Sequence, residues 1–270
     1  LLWPCQRAGG VTMHTYWTLE EHNGCALIRS NPTPRGTMTI EGAAQLLSLL
    51  EQCSNRKAAP PLVLEITVLH AELTELQEMA LGRPIADWAP WVNAISAVEN
   101  YPNLLIVAIP EQATCGGLEI SVAADIRIAK ATARLGLLEA RMGIMPGAGG
   151  TQRLPRIVGF GQASALIFSG AVISGERAEK IGLVEWLSDD PISSGMKFAE
   201  QCLSNSNEVL IAAKKAIRAG RFENSDGYKT EGRGFLSLVS LPTATTNMSH
   251  WISEQEHGAN PALIPIQEFL

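Results

Sequence analysis

The spacing of hydrophobic and polar positions changes several times along the chain, and each change marks an element. Residues 16–30, YWTLEEHNGCALIRS, hold two short half-apolar runs on either side of Asn23-Gly24. Asn-Gly supplies the positive φ angles of a tight two-residue turn, so this segment predicts a β-hairpin. NPTPRG then interrupts regular structure, and Thr39 stands where a hydroxyl caps a helix over 40–53 with an apolar stripe of Leu46, Leu47, Leu49 and Leu50. PPLVLEITVL reads as a buried strand after a double-proline start, and LLIVAI at 104–109 as a second. Between them the charged AELTELQEMALGRPIADW predicts a broken helix or mobile loop, followed by a helix over about 90–100.

The alternation continues with a helix at 116–123, a strand at 125–129, a short strand around Leu135, a helix at 162–169 and another from Gly175. Strands alternating with helices predict an α/β fold in which helices cover a parallel sheet. Beyond 190 the pattern turns helical in PISSGMKFAEQCL, NEVLIAAKKAIRAG and TEGRGFLSLVSL, where GRGF weakens the last. The tail SEQEHGANPALIPIQEFL has no sustained period. These changes divide the chain into an extension (1–15), a core domain (16–195), a helical C-terminal region (196–252) and a tail (253–270).

Composition narrows the function classes. A hydrophobic fraction of 46% over 270 residues supports a sizeable core, and a charged fraction of only 18% predicts that part of the surface is buried in an oligomer. With 27 acidic against 21 basic side chains and no basic stripe, nothing offers a nucleic-acid footprint. Cys5, Cys25, Cys53, Cys115 and Cys202 form no CxxC pair and read as free thiols in a reducing compartment, the cytoplasm. The histidines fall in no metal-ligand spacing, and LLWPCQRAGG is too short and too soon polar for a secretory or membrane segment.

The chemistry lies in residues 113–150, ATCGGLEISVAADIRIAKATARLGLLEARMGIMPGAGG, where Glu119 and Glu139 stand in an otherwise apolar, glycine-rich stretch. A buried carboxyl group is suited to move a proton near neutral pH, so acid/base work is the first reading, with neutralisation by Arg141 or Arg153 as the structural one. Gly116-Gly117 precedes a helical run. Helix starts leave N–H groups without partners, and glycine admits an oxygen close to them, so the pair predicts an oxyanion receptor or else tight helix-strand packing. Glu119 follows about one turn later. PGAGGTQR lacks both the Lys-Ser/Thr ending of a phosphate loop and a dinucleotide-binding context. Trp88 and Trp91 either pack a helix or line a substrate passage, and His70 either orients a substrate or closes a strand edge.

CGGLEISVAADIRIAKATARLGLLEARMGIMPGAGGTQRLPRIVG, continued by SGAVISGERAEKIGLVEWL, resembles the central block of the crotonase superfamily, the enoyl-CoA hydratase/isomerase family. The resemblance covers roughly 16–250 and is strongest over 104–187. It implies a crotonase-like spiral of ββα units with a helical C-terminal trimerisation region, assembled as a homotrimer or a dimer of trimers. Gly116 resembles one oxyanion-hole residue, and Ala71, in VLHAEL where members show something like CAGADL, the other. Glu119 and Glu139 occupy the two positions that carry glutamates in true hydratases. The implied activity is a lyase that hydrates an enoyl thioester or dehydrates a 3-hydroxyacyl thioester. No tightly bound cofactor is implied; coenzyme A or the phosphopantetheine of an acyl carrier protein carries the substrate. By the same resemblance His70, Trp88, Trp91, Leu138 and Gly147 contact substrate, and Thr37 and Leu73 the coenzyme A portion.

Several segments depart from the pattern. His70 and Glu72 replace the usual glycine and aspartate, TPRGTMT lacks an Asn-Ala-Leu-like contact, PEQATCGG stands for a loop resembling NGxAxGGG, and the AFxEKRxPxF-like finish is missing. An isomerase or other enolate-forming enzyme, and a non-catalytic carrier-protein-binding scaffold, are the rival implications.

Overall fold

The computed structural model describes residues 14–31, 33, 36–68, 70–81, 88–203, 207–219 and 226–256. Most of the expected extension and the tail from 257 lie outside the described residues.

The predicted hairpin is β1 (Trp17–His22) against β2 (Cys25–Ser30), with His22 opposite Cys25. Asn23 and Gly24 take φ of 51° and 80°, the left-handed values that the tight turn requires. After the short β3 (Thr37–Met38), α1 (Ile40–Ser54) begins at Thr39, whose hydroxyl accepts the Gly42 N–H at 3.2 Å. β4 (Leu62–Glu65), the two-residue β5 (His70–Ala71), α2 (Leu73–Ala80) and α3 (Ala89–Glu99) follow. The middle third contains β6 (Leu105–Ile109), β7 (Gln112–Thr114), α4 (Gly116–Ala123), β8 (Ile126–Ala129) and β9 (Arg134–Gly136). A single 3₁₀ turn at Glu139–Met142 leads to α5 (Gly150–Val158), α6 (Phe160–Ser169), β10 (Val172–Ser174), α7 (Gly175–Lys180) and β11 (Trp186–Leu187). Four helices complete the described chain: α8 (Pro191–Leu203), α9 (Asn207–Ala219), α10 (Asp226–Val239) and α11 (Pro242–Glu256).

The main sheet runs β1-β2-β4-β6-β8-β11 and is parallel except for the hairpin. Both of its faces are covered, which is why its strands read as continuous apolar runs. Cys25, Leu27, Val63, Ile106, Ala108 and Ile128 point to one face and pack with Met196 and Ala199 of α8. Their alternates, among them Ile28, Leu62, Leu64, Leu105 and Val107, belong to the principal core on the other face. A smaller sheet orders β10-β9-β7, and β3 pairs parallel with β5.

The structure adjusts several of these boundaries. The strand in PPLVLEITVL ends at Glu65, because the chain leaves the main sheet: Ile66 N–H still donates to Ala108 O, but Val68 O already accepts from Thr114 N–H of β7. Within AELTELQEMALGRPIADW, α2 covers Leu73–Ala80, started by the Glu72 carboxylate and buried along Leu73, Leu76 and Met79; residues 82–87 lie outside the described residues. PGAGGTQRLPRIV contains α5, and the final helix extends through 253–256 because Ala244, Met248 and Trp251 form a buried stripe among polar neighbours. α10 and α11 pack within the same chain onto α2, α5 and the 3₁₀ turn.

Candidate active site

Register places the two glutamate-bearing segments side by side. β7 and β9 run parallel with Gln112 opposite Arg134 and Thr114 opposite Gly136, so residues just beyond Thr114 lie beside those just beyond Gly136. Cys115 N–H donates to Gly136 O at 2.9 Å, and the Leu138 backbone hydrogen-bonds the Cys115 thiol. Gly116 is the first residue of α4 and Glu139 the first of the 3₁₀ turn. One cavity is bordered by Ala71, Gly116, Glu119, Glu139, His70 and Trp91 among others.

Both glycines of the GG pair are sterically required. A Cβ on Gly117 would lie 2.3 Å from the Val68 carbonyl oxygen, and one on Gly116 2.7 Å from the Trp91 ring. The packing reading holds, and the same close approach brings the α4 N-terminus to β5. As the first helical residue, Gly116 has no intrahelical acceptor for its N–H. Just past β5, Glu72 N–H donates to Met38 O at 3.0 Å. Alternate N–H groups of a strand point to opposite sides, so the Ala71 N–H points away from β3, and α4 packs against β5.

Cys115 stands at the first glycine of the closing GGG in the NGxAxGGG-like loop and carries a conformational cost there. Its φ of 47° and ψ of −123° are a glycine's angles, disfavoured for a side-chain-bearing residue by about 1–3 kcal/mol. That ψ sets the direction of the next peptide plane and hence of the Gly116 N–H. Burial pushes the Cys115 thiol well up, and the nearby charges of Glu139 and Glu119 add to it, so it stays protonated and acts as a packing group.

Glu119 is 3% exposed, and its Oε1 accepts the N–H groups of Ala148 and Gly150, both at 2.8 Å. The glycine-rich PGAGG segment is thus a nest for an internal carboxylate at the start of α5. Gly149 (φ 108°) turns the backbone, and a Cβ on Gly150 would sit 3.0 Å from Glu119 Oε1. Glu139 is 5% exposed and reaches the same cavity. Of the arginines weighed as partners, Arg153 donates to Glu99 at 2.6 Å and the Arg141 guanidinium lies 4.7 Å over the Trp251 ring.

The remaining sequence-predicted residues divide. His70, Leu73, Trp88, Trp91 and Gly147 line the cavity. His70 Nδ1 lies 2.7 Å from Ala71 O, and since a carbonyl only accepts, Nδ1 carries the proton. Thr37 and Leu138 are not brought into the lining. Thr37 is buried with its hydroxyl on Glu72 Oε2 at 2.8 Å, and Leu138 acts through its backbone at Cys115. Sequence reasoning missed Cys115, Leu76, Met142, Ile144 and Phe235 as lining residues. A glycine position filled by cysteine was the one signal available for Cys115; Phe235 arrives from α10 with none. Among the described residues no group of three or more His, Cys, Asp or Glu is placed to hold a metal, and no helix is long and apolar enough to cross a membrane.

The paired sheets, the glycine-lined helix start and the buried carboxylates define a crotonase-type fold. The model of the enoyl-CoA hydratase/isomerase family matches residues 20–233, and the chain belongs to that family. It is 38% identical over 141 residues to the mitochondrial methylglutaconyl-CoA hydratase of Rattus norvegicus, covering 48% of this chain and 45% of the relative. Against the 2,3-dehydroadipyl-CoA hydratase of Escherichia coli (strain K12) it is 38% identical over 150 residues, covering 55% of this chain and 58% of that one. The chain therefore matches about half the length of these curated relatives. The solved enoyl-CoA hydratase from Bacillus anthracis is similar over 92% of this chain and 98% of its own, at 26% identity and a TM-score of 0.70.

Proposed function

We propose that the protein is a hydro-lyase that adds water to an α,β-unsaturated acyl thioester, or removes it from the matching 3-hydroxyacyl thioester. The observation that carries this reading is the convergence of Glu119, Glu139, Ala71 and Gly116 on one cavity. The thioester oxygen accepts the Ala71 and Gly116 N–H groups. Electron density drawn onto that oxygen makes the β-carbon electrophilic and stabilises the enolate-like state that follows attack. Glu119, its Oε1 fixed by two backbone donors, holds the water and takes a proton as the oxygen bonds to the β-carbon. Glu139 delivers a proton to the α-carbon. In the reverse direction Glu139 removes the α-proton and Glu119 protonates the departing hydroxide.

Family membership supports the reaction class, and the names of the two hydratases above support water addition over the family's other reactions. The carrier is coenzyme A or the phosphopantetheine of an acyl carrier protein. Mass spectrometry of enoyl and 3-hydroxyacyl thioesters on both carriers tests the proposal. Gain or loss of one water on at least one carrier is expected; turnover of none overturns it.

A further inference from the structure

Besides the two glutamates and Cys115, the described lining of the catalytic cavity holds one further titratable side chain, His70, and the reaction above gives it no part. It is 5% exposed and stands immediately before Ala71, where the resembled pattern carries glycine. β5 pairs with β3 as His70 with Thr37 and Ala71 with Met38, and Glu72 N–H donates to Met38 O at 3.0 Å. In a parallel ladder the N–H and C=O of one residue point to the same side. The edge that turns the Ala71 N–H away from β3 therefore turns the Ala71 C=O the same way. An oxyanion brought to that N–H meets the negative end of a carbonyl dipole beside the donor. In a water-poor cavity the dipole is weakly screened and opposes the charge that the hole has to hold. The imidazole meets it, because Nδ1–H donates to Ala71 O at 2.7 Å. A glycine at position 70 has no group for that task and leaves the carbonyl to a water, which needs room at the same edge.

We propose that His70 is a positioning residue of the oxyanion hole: its Nδ1–H caps the Ala71 carbonyl, so that the edge of β5 offers the thioester oxygen a donor and no competing acceptor. The inference rests on the hydratase reading above for the place of the thioester oxygen. The same bond holds the 71–72 peptide at both ends, its C=O by the imidazole and its N–H by β3, which limits rotation of the strand about the Ala71 donor. The second donor is held in a like way. Cys115 precedes Gly116, also where the pattern has glycine, and the Leu138 backbone hydrogen-bonds its thiol. Each amide of the hole thus follows a side chain that is anchored to backbone.

The test compares His70→Ala, His70→Asn and His70→Gln. The Asn amide nitrogen is bonded to Cγ, as Nδ1 is, whereas the Gln amide lies one bond further out. His70→Ala should lower kcat by about tenfold, part of the about 10²–10³-fold that a direct donor is worth, with KM moved by less than about threefold. His70→Asn should recover most of that loss and His70→Gln little of it. The infrared carbonyl stretch of a butyryl thioester labelled with carbon-13 at C1, on coenzyme A and on pantetheine, reads the hole without turnover. Binding to the wild type should lower it, binding to the Ala and Gln variants lower it less, and binding to the Asn variant lower it nearly as far. Should His70→Ala fail to fold, the Asn and Gln variants, which differ by one methylene, carry the comparison. Stretch and kcat unchanged in the variants overturn the role of His70 and spare the hydratase. Equal losses in the Asn and Gln variants do the same, because they mark a packing effect. Stretches in the expected order with no enoyl thioester hydrated uphold the capped hole while the hydratase reading fails alone. A wild-type stretch that binding leaves unmoved, or no binding of either thioester, overturns both.

Discussion

Replacing Glu119 or Glu139 by Gln lowers kcat for water addition by about 10²–10⁴-fold, the range over which a positioned acid or base contributes. The substitution keeps the shape of each side chain and removes only its capacity to carry the proton. At position 119 the amide oxygen can still accept from Ala148 and Gly150, so the nest at the start of α5 survives and the thermal midpoint stays close to wild type. The two carboxylates line one cavity, and in the proposed reaction they work on the same water and carbon chain. Their effects are therefore not additive: the double variant is little worse than the poorer single one. Steady-state rates on a thioester found active in the carrier screen, read beside calorimetric melting, check this. Wild-type kcat in both single variants would remove the glutamates from the mechanism.

Ala71→Pro lowers kcat by about 10²–10³-fold, the loss expected when one oxyanion donor is removed. Proline deletes the N–H while adding little bulk, and the ladder bond between β5 and β3 is made by Glu72 N–H rather than by Ala71. The loss belongs in kcat more than in KM, because the donor acts most strongly on the charge that develops during attack. Ala71→Gly, which keeps the N–H, should stay within about tenfold of wild type. Equal losses in the two variants would mean that position 71 matters through packing alone.

The parts of the molecule written in local pattern were legible in the sequence. Asn23-Gly24 dictated its hairpin, Thr39 its helix start, and the doubly covered β6 its unbroken apolar run. Gly116, Glu119 and Glu139 stood out because glycines and carboxylates are conspicuous in an apolar stretch. What brings them together was not legible. Their adjacency depends on the register of β7 and β9, strands of three residues each, too short to show a period. α5 was hidden by Gly149, Gly150 and Pro155, the residues that build its N-terminal nest and interrupt its helical propensity. Phe235 reaches the cavity only because α10 folds back across the chain, a tertiary event with no local signal. Thr37, which the resemblance set against the coenzyme A portion, is buried with its hydroxyl on Glu72.

The central claim is that two buried carboxylates and two amide donors move one water across a carbon–carbon double bond. Incubation of a reactive enoyl thioester in oxygen-18-labelled heavy water, with product analysis by mass spectrometry and NMR, tests it most directly. The account predicts one labelled oxygen on the β-carbon and one deuterium on the α-carbon in the same product molecule. Deuterium at the α-carbon with no oxygen taken up would contradict it and identify an isomerase on the same scaffold.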